Sequence, residues 1–80
     1  MNEETLARGA EGPEVAELQE ALIALDFKPG EVDGVFGPIT ESAVKSFQVF
    51  AKIAPDGIVD EETREKLEDE TGLQNEGDTG

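Results

Sequence analysis

The chain has 80 residues, with neither cysteine nor histidine, four phenylalanines and no tyrosine or tryptophan. One domain with one modest core is expected, because so short a chain hides only about 60% of its unfolded surface; disulfide staples, thiolate chemistry, and the commonest metal ligand and general base are excluded. Twenty Asp and Glu against six Lys and Arg give a formal charge of −14, which repels nucleic acid and anionic membranes and reads first as a solubilising surface.

The opening MNEETLARGAEG has acidic flanks and no apolar run, unlike a secretory signal or a membrane-spanning start. Residues 1–5 are expected to be flexible. Three alternatives stay open: a cytoplasmic location, export by an unconventional route, or the cell wall or exterior as a piece of a longer exported chain.

From Pro13 to Leu25, Val15, Leu18, Leu22 and Leu25 recur at steps of three and four, with Glu14, Glu17 and Glu20 on the other side; this predicts an amphipathic helix. Gly12 serves as N-cap, Pro13 suits the first helical position, and Lys28-Pro29-Gly30 cannot continue the helix, which should stop near Asp26. The same device recurs at Gly37-Pro38, after which Ile39, Ala43, Val44, Phe47 and Phe50 predict a second buried stripe to about Ala51. A third helix is predicted after Asp60, with Thr63 and Leu67 inward and Gly72 as a left-handed stop. The domain is therefore placed at 6–73. Residues 74–80 have no apolar content to pin them and read as a disordered acidic tail.

The connections between these helices resemble each other. Asp33-Gly34-Val35-Phe36-Gly37-Pro38-Ile39-Thr40 aligns with Asp56-Gly57-Ile58-Val59-Asp60-Glu61-Glu62-Thr63: Asp-Gly, two apolar residues, a cap position, and Thr three residues later. Val15-x-x-Leu18-Gln19 likewise echoes Val44-x-x-Phe47-Gln48. Asp accepts backbone N–H bonds in a tight turn and Gly supplies positive φ. The apolar pairs are expected to drop into the core with Val32 and Ile53, and a short extended pairing could join the two loops. The fold class is all-α, a compact three-helix bundle with two Asp-Gly loops.

These residues spell a known pattern. Val15-x-x-Leu18-Gln19, Asp33-Gly34-Val35-Phe36-Gly37-Pro38-x-Thr40-x-x-Ala43-Val44-x-x-Phe47-Gln48 and Asp56-Gly57-Ile58-Val59-x-x-x-Thr63-x-x-x-Leu67 resemble the peptidoglycan-binding domain of bacterial cell-wall hydrolases, from about Leu6 to Leu67. The resemblance implies a three-helix module without a reaction of its own, a monomer, which holds a linked or separate hydrolase on the wall. It names peptidoglycan or its stem peptide as partner. The sequence departs from the family at Asp26 and Lys52, where glycine is frequent, and at Asp60-Glu61, where Gly-Pro is frequent. Lys52 should strain the left-handed helix ending or use another one.

Candidate ligand-binding residues are Gln19, Asp33, Phe36, Thr40, Gln48 and Asp56. Each also has an architectural reading. The Asp-Gly pairs are capped turns, the Gln amides can satisfy loop donors and acceptors, Thr40 and Thr63 can bond back to the loops, and Phe36 is core with an edge free for a groove. Of the two aspartates, Asp33 is the better partner for the free amine of a stem-peptide diamino acid.

Enzymatic activity is not expected, because Ser42 and Ser46 have no His or Cys to activate them. No cofactor or metal is expected either, since neither loop follows the alternating acidic pattern of a calcium-binding hand. A carrier-protein role lacks its Asp-Ser-Leu attachment site. The acidic surface supports one alternative, an interaction or assembly module of the same fold that has lost wall binding and takes a basic partner protein.

Overall fold

A computed structural model describes residues 5–71. The expectations for residues 1–4, the Gly72 stop and the 74–80 tail lie outside that range. Helices α1 (Pro13–Ala24), α2 (Pro38–Phe50) and α3 (Glu61–Thr71) follow in order. Pro13 and Pro38 each follow a glycine N-cap, where a missing N–H costs nothing. The third start is capped by a side chain, Asp60 Oδ1 accepting the Thr63 N–H at 3.1 Å.

The first two helices end alike. In α1, Phe27 N–H donates to Leu22 O at 2.8 Å and Asp26 N–H to Ile23 O at 2.9 Å, with Asp26 at φ 70°. In α2, Ile53 N–H donates to Gln48 O at 3.0 Å and Lys52 N–H to Val49 O at 3.1 Å, with Lys52 at φ 66°. Both are Schellman endings. Lys52 therefore keeps the ending a glycine would make and carries the strain of a left-handed Cβ.

Val15, Leu18, Ala21 and Leu22 of α1 meet Ala43, Val44 and Phe47 of α2 and Leu67 of α3, with Phe36 and Val59 inserted from the loops. The expected apolar pairs split: Phe36 and Val59 are each 1% exposed, whereas Val35 and Ile58 are 44% and 38% exposed. Consecutive side chains of extended backbone point opposite ways, so only one of each pair can enter the core. Val32 is likewise largely exposed, and Ile53 half-buried.

The α2 stripe is also narrower than expected. Ile39 and Phe50, at its two ends, are 64% and 55% exposed. Nor do the Asp-Gly loops pair with each other. The N-terminal segment pairs with both, through antiparallel bridges Leu6 to Val59 and Glu11 to Val35. Val59 N–H donates to Leu6 O at 2.8 Å and Phe36 N–H to Ala10 O at 2.9 Å, so one strip of chain satisfies backbone groups that both loops expose.

Candidate functional site

Each Asp-Gly loop closes around a buried glutamine. Gln19, 1% exposed on α1, accepts at Oε1 from the N–H groups of Asp33 (3.1 Å) and Gly34 (3.0 Å). Its Nε2 donates towards Asp33 Oδ1, Val35 O and Thr40 Oγ1, all at 3.1 Å. An amide nitrogen has two hydrogens for these three acceptors, so one bond is shared. Thr40, 2% exposed at the start of α2, passes its own hydrogen to Pro29 O at 3.3 Å.

The second corner repeats the first. Gln48 of α2 accepts from Gly57 N–H at 2.9 Å and donates to Asp56 Oδ1, Ile58 O and Thr63 Oγ1 at 3.0 to 3.1 Å. Gln and Thr thus come from the helices before and after each loop, and α2 serves both corners. Gly34 and Gly57 turn the chain at φ 75° and 76°, where a side chain is strained, and a Cβ at either would be tight against its neighbours. A Cβ at Gly34 would lie 3.3 Å from Gly12 O, and one at Gly57 3.0 Å from Glu41 Cγ.

The carboxylates of the two corners stand at the surface. Asp33 Oδ1 accepts the Val35 N–H at 3.0 Å as well as the Gln19 amide, and these two bonds hold its pKa below the ordinary value, the Val35 amide contributing most. Asp56 is lowered in the same way, chiefly by the Ile58 N–H at 3.0 Å, with partial desolvation opposing and the Gln48 amide assisting. Both are anions at neutral pH.

Of the sequence-predicted residues, Gln19, Asp33 and Thr40 come together in one cluster and Gln48 and Asp56 in another, joined there by Thr63. The Gln and Thr side chains are buried and committed to the loops. Phe36 is in the core, and the outward member of its pair is Val35. Beside Asp33, the start of α1 and the first loop form an open groove lined by Gly12, Pro13, Ala16, Val32, Asp33 and Val35. Sequence reasoning left Pro13, Ala16 and Val32 out of any site; the unpaired apolar Val32 just before Asp-Gly was the available signal. A separate cleft of about 250 Å³ lies between α1 and α3, with Leu18, Ala21 and Leu67 in its floor and Glu14, Glu17 and Glu68 among its rim residues.

Three short helices joined by two glutamine-clamped Asp-Gly corners define a class of small helical module. The chain belongs to the peptidoglycan binding domain family, whose model matches residues 11–67. It is 42% identical over 62 residues to the N-acetylmuramoyl-L-alanine amidase CwlL of Bacillus licheniformis, covering 70% of this chain and 17% of the amidase. It is 37% identical over 67 residues to the spore cortex-lytic enzyme of Oceanobacillus iheyensis, covering 84% of this chain and 24% of that enzyme. Against the crystal structure of the SleB N-terminal domain the TM-score is 0.84 at 37% identity, covering 89% of this chain and 97% of that one. The chain thus spans only about a fifth of the length of these two enzymes but nearly all of the SleB N-terminal domain.

Proposed function

We propose that this chain is a non-catalytic wall-binding module that recognises the stem peptide of peptidoglycan and tethers a linked or associated hydrolase to its substrate. The observation that carries the reading is the family match over residues 11–67, which takes in α1, α2, both corners and the first part of α3, as far as Leu67. The ligand sits in the groove between the start of α1 and the first corner. There Asp33, already ionised, meets the free amine of a stem-peptide diamino acid, while Val32, Val35 and Ala16 take its aliphatic arm. Gln19 and Thr40 act from below by fixing the loop. Gln48 does the same for Asp56, the corresponding anion of the second corner. Tethering raises the local concentration of an attached enzyme to about the millimolar range, so weak binding suffices.

Sedimentation with purified sacculi at low and high salt tests the reading. Co-sedimentation at both concentrations is expected, weakened by Asp33→Asn. A protein that stays in the supernatant at both salt concentrations refutes it. Capture of a basic partner protein at low salt and its release at high salt, without sacculus binding, would favour the interaction-module alternative.

A further inference from the structure

The acidic charge is unevenly distributed. The α1 helix carries Glu14, Glu17 and Glu20, and α3 carries Glu61, Glu62, Glu65, Glu68, Asp69 and Glu70. The α2 helix has one acid, Glu41, which is half-buried and paired with Arg8 at 3.2 Å. Helical spacing gathers Ile39, Ser42, Ser46, Val49 and Phe50 into an arc of about 100°, running about 16 Å along the axis. All five are exposed. Ile39, Val49 and Phe50 are the most exposed large apolar side chains of the described residues, at 64%, 63% and 55%.

This strip is held from both sides. Along one edge runs the 27–30 segment, with the Phe27 ring centroid 5.8 Å from that of Phe50 and Gly30 so close to Ile39 that a Cβ there would touch its Cγ2 at 3.4 Å. Along the other lies Lys45, against Gly57 of the second corner. A carboxylate-free face with apolar ends and a hydroxyl centre therefore sits on a molecule of charge −14.

We infer that the α2 face is a docking surface for the uncharged sugar backbone of the wall, an N-acetylated hexosamine strand. The inference rests on the wall-binding reading and adds a glycan contact to the peptide contact at Asp33. Peptidoglycan carries carboxylates on its peptides, so outside the groove at Asp33 the acids of α1 and α3 disfavour close approach, whereas the exposed strip of α2 brings no carboxylate of its own. Acetamido methyls and sugar C–H faces pack on Phe50, Val49 and Ile39. The hydroxyls of Ser42 and Ser46, one helical turn apart, exchange hydrogen bonds with ring hydroxyls and acetamido groups. A second copy fits less well. One helix face about 16 Å long and about 10 Å wide falls far short of the roughly 1,200 Å² that a stable interface buries, and each partner would bring the same charge.

The test titrates the isotope-labelled 80-residue protein with a soluble N-acetylglucosamine oligomer, beside the sacculus sedimentation above. Shifts are expected at Ile39, Ser42, Ser46, Val49 and Phe50. S42E and S46E should each lose oligomer affinity by about tenfold or more, while E65Q on α3 binds as the parent does. The serines are exposed, and thermal unfolding checks that both variants stay folded. Shifts elsewhere, or unchanged affinity in folded S42E and S46E, overturn the inference. So do shifts that follow protein concentration without sugar, which assign the face to a second copy. Sacculus binding without any oligomer response overturns this inference alone, whereas absent sacculus binding overturns the wall-binding reading with it.

Discussion

Replacing Gln19 by leucine tests the corner clamp directly. The substitution roughly keeps side-chain volume and removes five polar contacts, three made by Nε2 and two by Oε1. The decisive loss is at Gly34 N–H, whose acceptor is Gln19 Oε1, whereas Asp33 N–H keeps a second acceptor in Glu31 O at 3.0 Å. A backbone N–H left without a partner costs about 1 to 3 kcal/mol, and the weakened bonds at Asp33, Val35 and Thr40 add to it, so the variant should lose about 2 to 4 kcal/mol. An 80-residue domain has only about 4 to 12 kcal/mol in total, and each kcal/mol moves Tm by about 4 to 8 °C at this size. Urea unfolding should therefore show a transition at much lower denaturant, and hydrogen exchange should locate the opening at Asp33 and Gly34. Gln19→Glu should be worse at neutral pH, since its carboxylate faces Asp33 and has no hydrogen for Val35 O or Thr40. The matching Gln48→Leu change should add to Gln19→Leu, because the two amides share no partner. If Gln19→Leu unfolds within about 0.5 kcal/mol of the parent with unchanged exchange at Asp33 and Gly34, the clamp is not what holds the corner.

Lys52→Gly should stabilise the domain by about 1 kcal/mol in urea unfolding, less the entropy glycine adds to the unfolded chain, whereas Lys52→Ala should not; a loss in the glycine variant would contradict the Schellman assignment. The lowered pKa of Asp33 means that the folded state favours its anion. Its contribution is present above the unfolded value, ordinarily 3.8, and is lost as pH falls through the folded one. The stability gap between the parent and Asp33→Asn should accordingly close on acidification below that value; a gap that widens there would reverse the sign. Raising NaCl from about 0.1 to 1 M shortens the screening length from about 10 to 3 Å and should raise Tm, since a charge of −14 opposes compaction; a Tm that falls with NaCl would show that ion pairs outweigh the repulsion.

Helix starts were the most legible part of the sequence, because Gly12-Pro13, Gly37-Pro38 and Asp60 act through local backbone chemistry that needs no tertiary partner. The ends were legible by position but not by conformation. Lys52 carries a local penalty of about 1 to 2 kcal/mol in the left-handed region, and the paired bonds to Gln48 O and Val49 O offset it. The loop residues misled for a different reason. Val35 and Ile58 are as apolar as Phe36 and Val59, and only the antiparallel contact with the N-terminal segment sets which of each pair turns inward. That contact is long-range and leaves no periodic signal. The corners themselves were visible as a repeated Asp-Gly-apolar-apolar pattern, yet the open groove beside Asp33 is made with Pro13 and Ala16, whose helical roles gave no reason to pair them with a loop.

The two corners also show why an apparent repeat can produce a molecule with one distinctive face. Thr40 and Gln48 both belong to α2, so the middle helix must give its buried side to two clamps while α1 and α3 each serve one. Loops consequently flank α2 on both sides, with Gly30 against Ile39 and Gly57 against Glu41 and Lys45. What remains exposed between them is the narrow strip from Ile39 to Phe50. Most acids on α1 and α3 are exposed and cost little, but an unpaired carboxylate in that strip would sit where the flanking loops limit its hydration. The architecture alone would thus tolerate small hydroxyls such as Ser42 and Ser46. It gives no reason for Ile39, Val49 and Phe50 to stay uncovered, since burying the 55 to 64% of each that is exposed would return about 1 to 2 kcal/mol. Those three side chains, rather than the serines, are the feature that a ligand must explain.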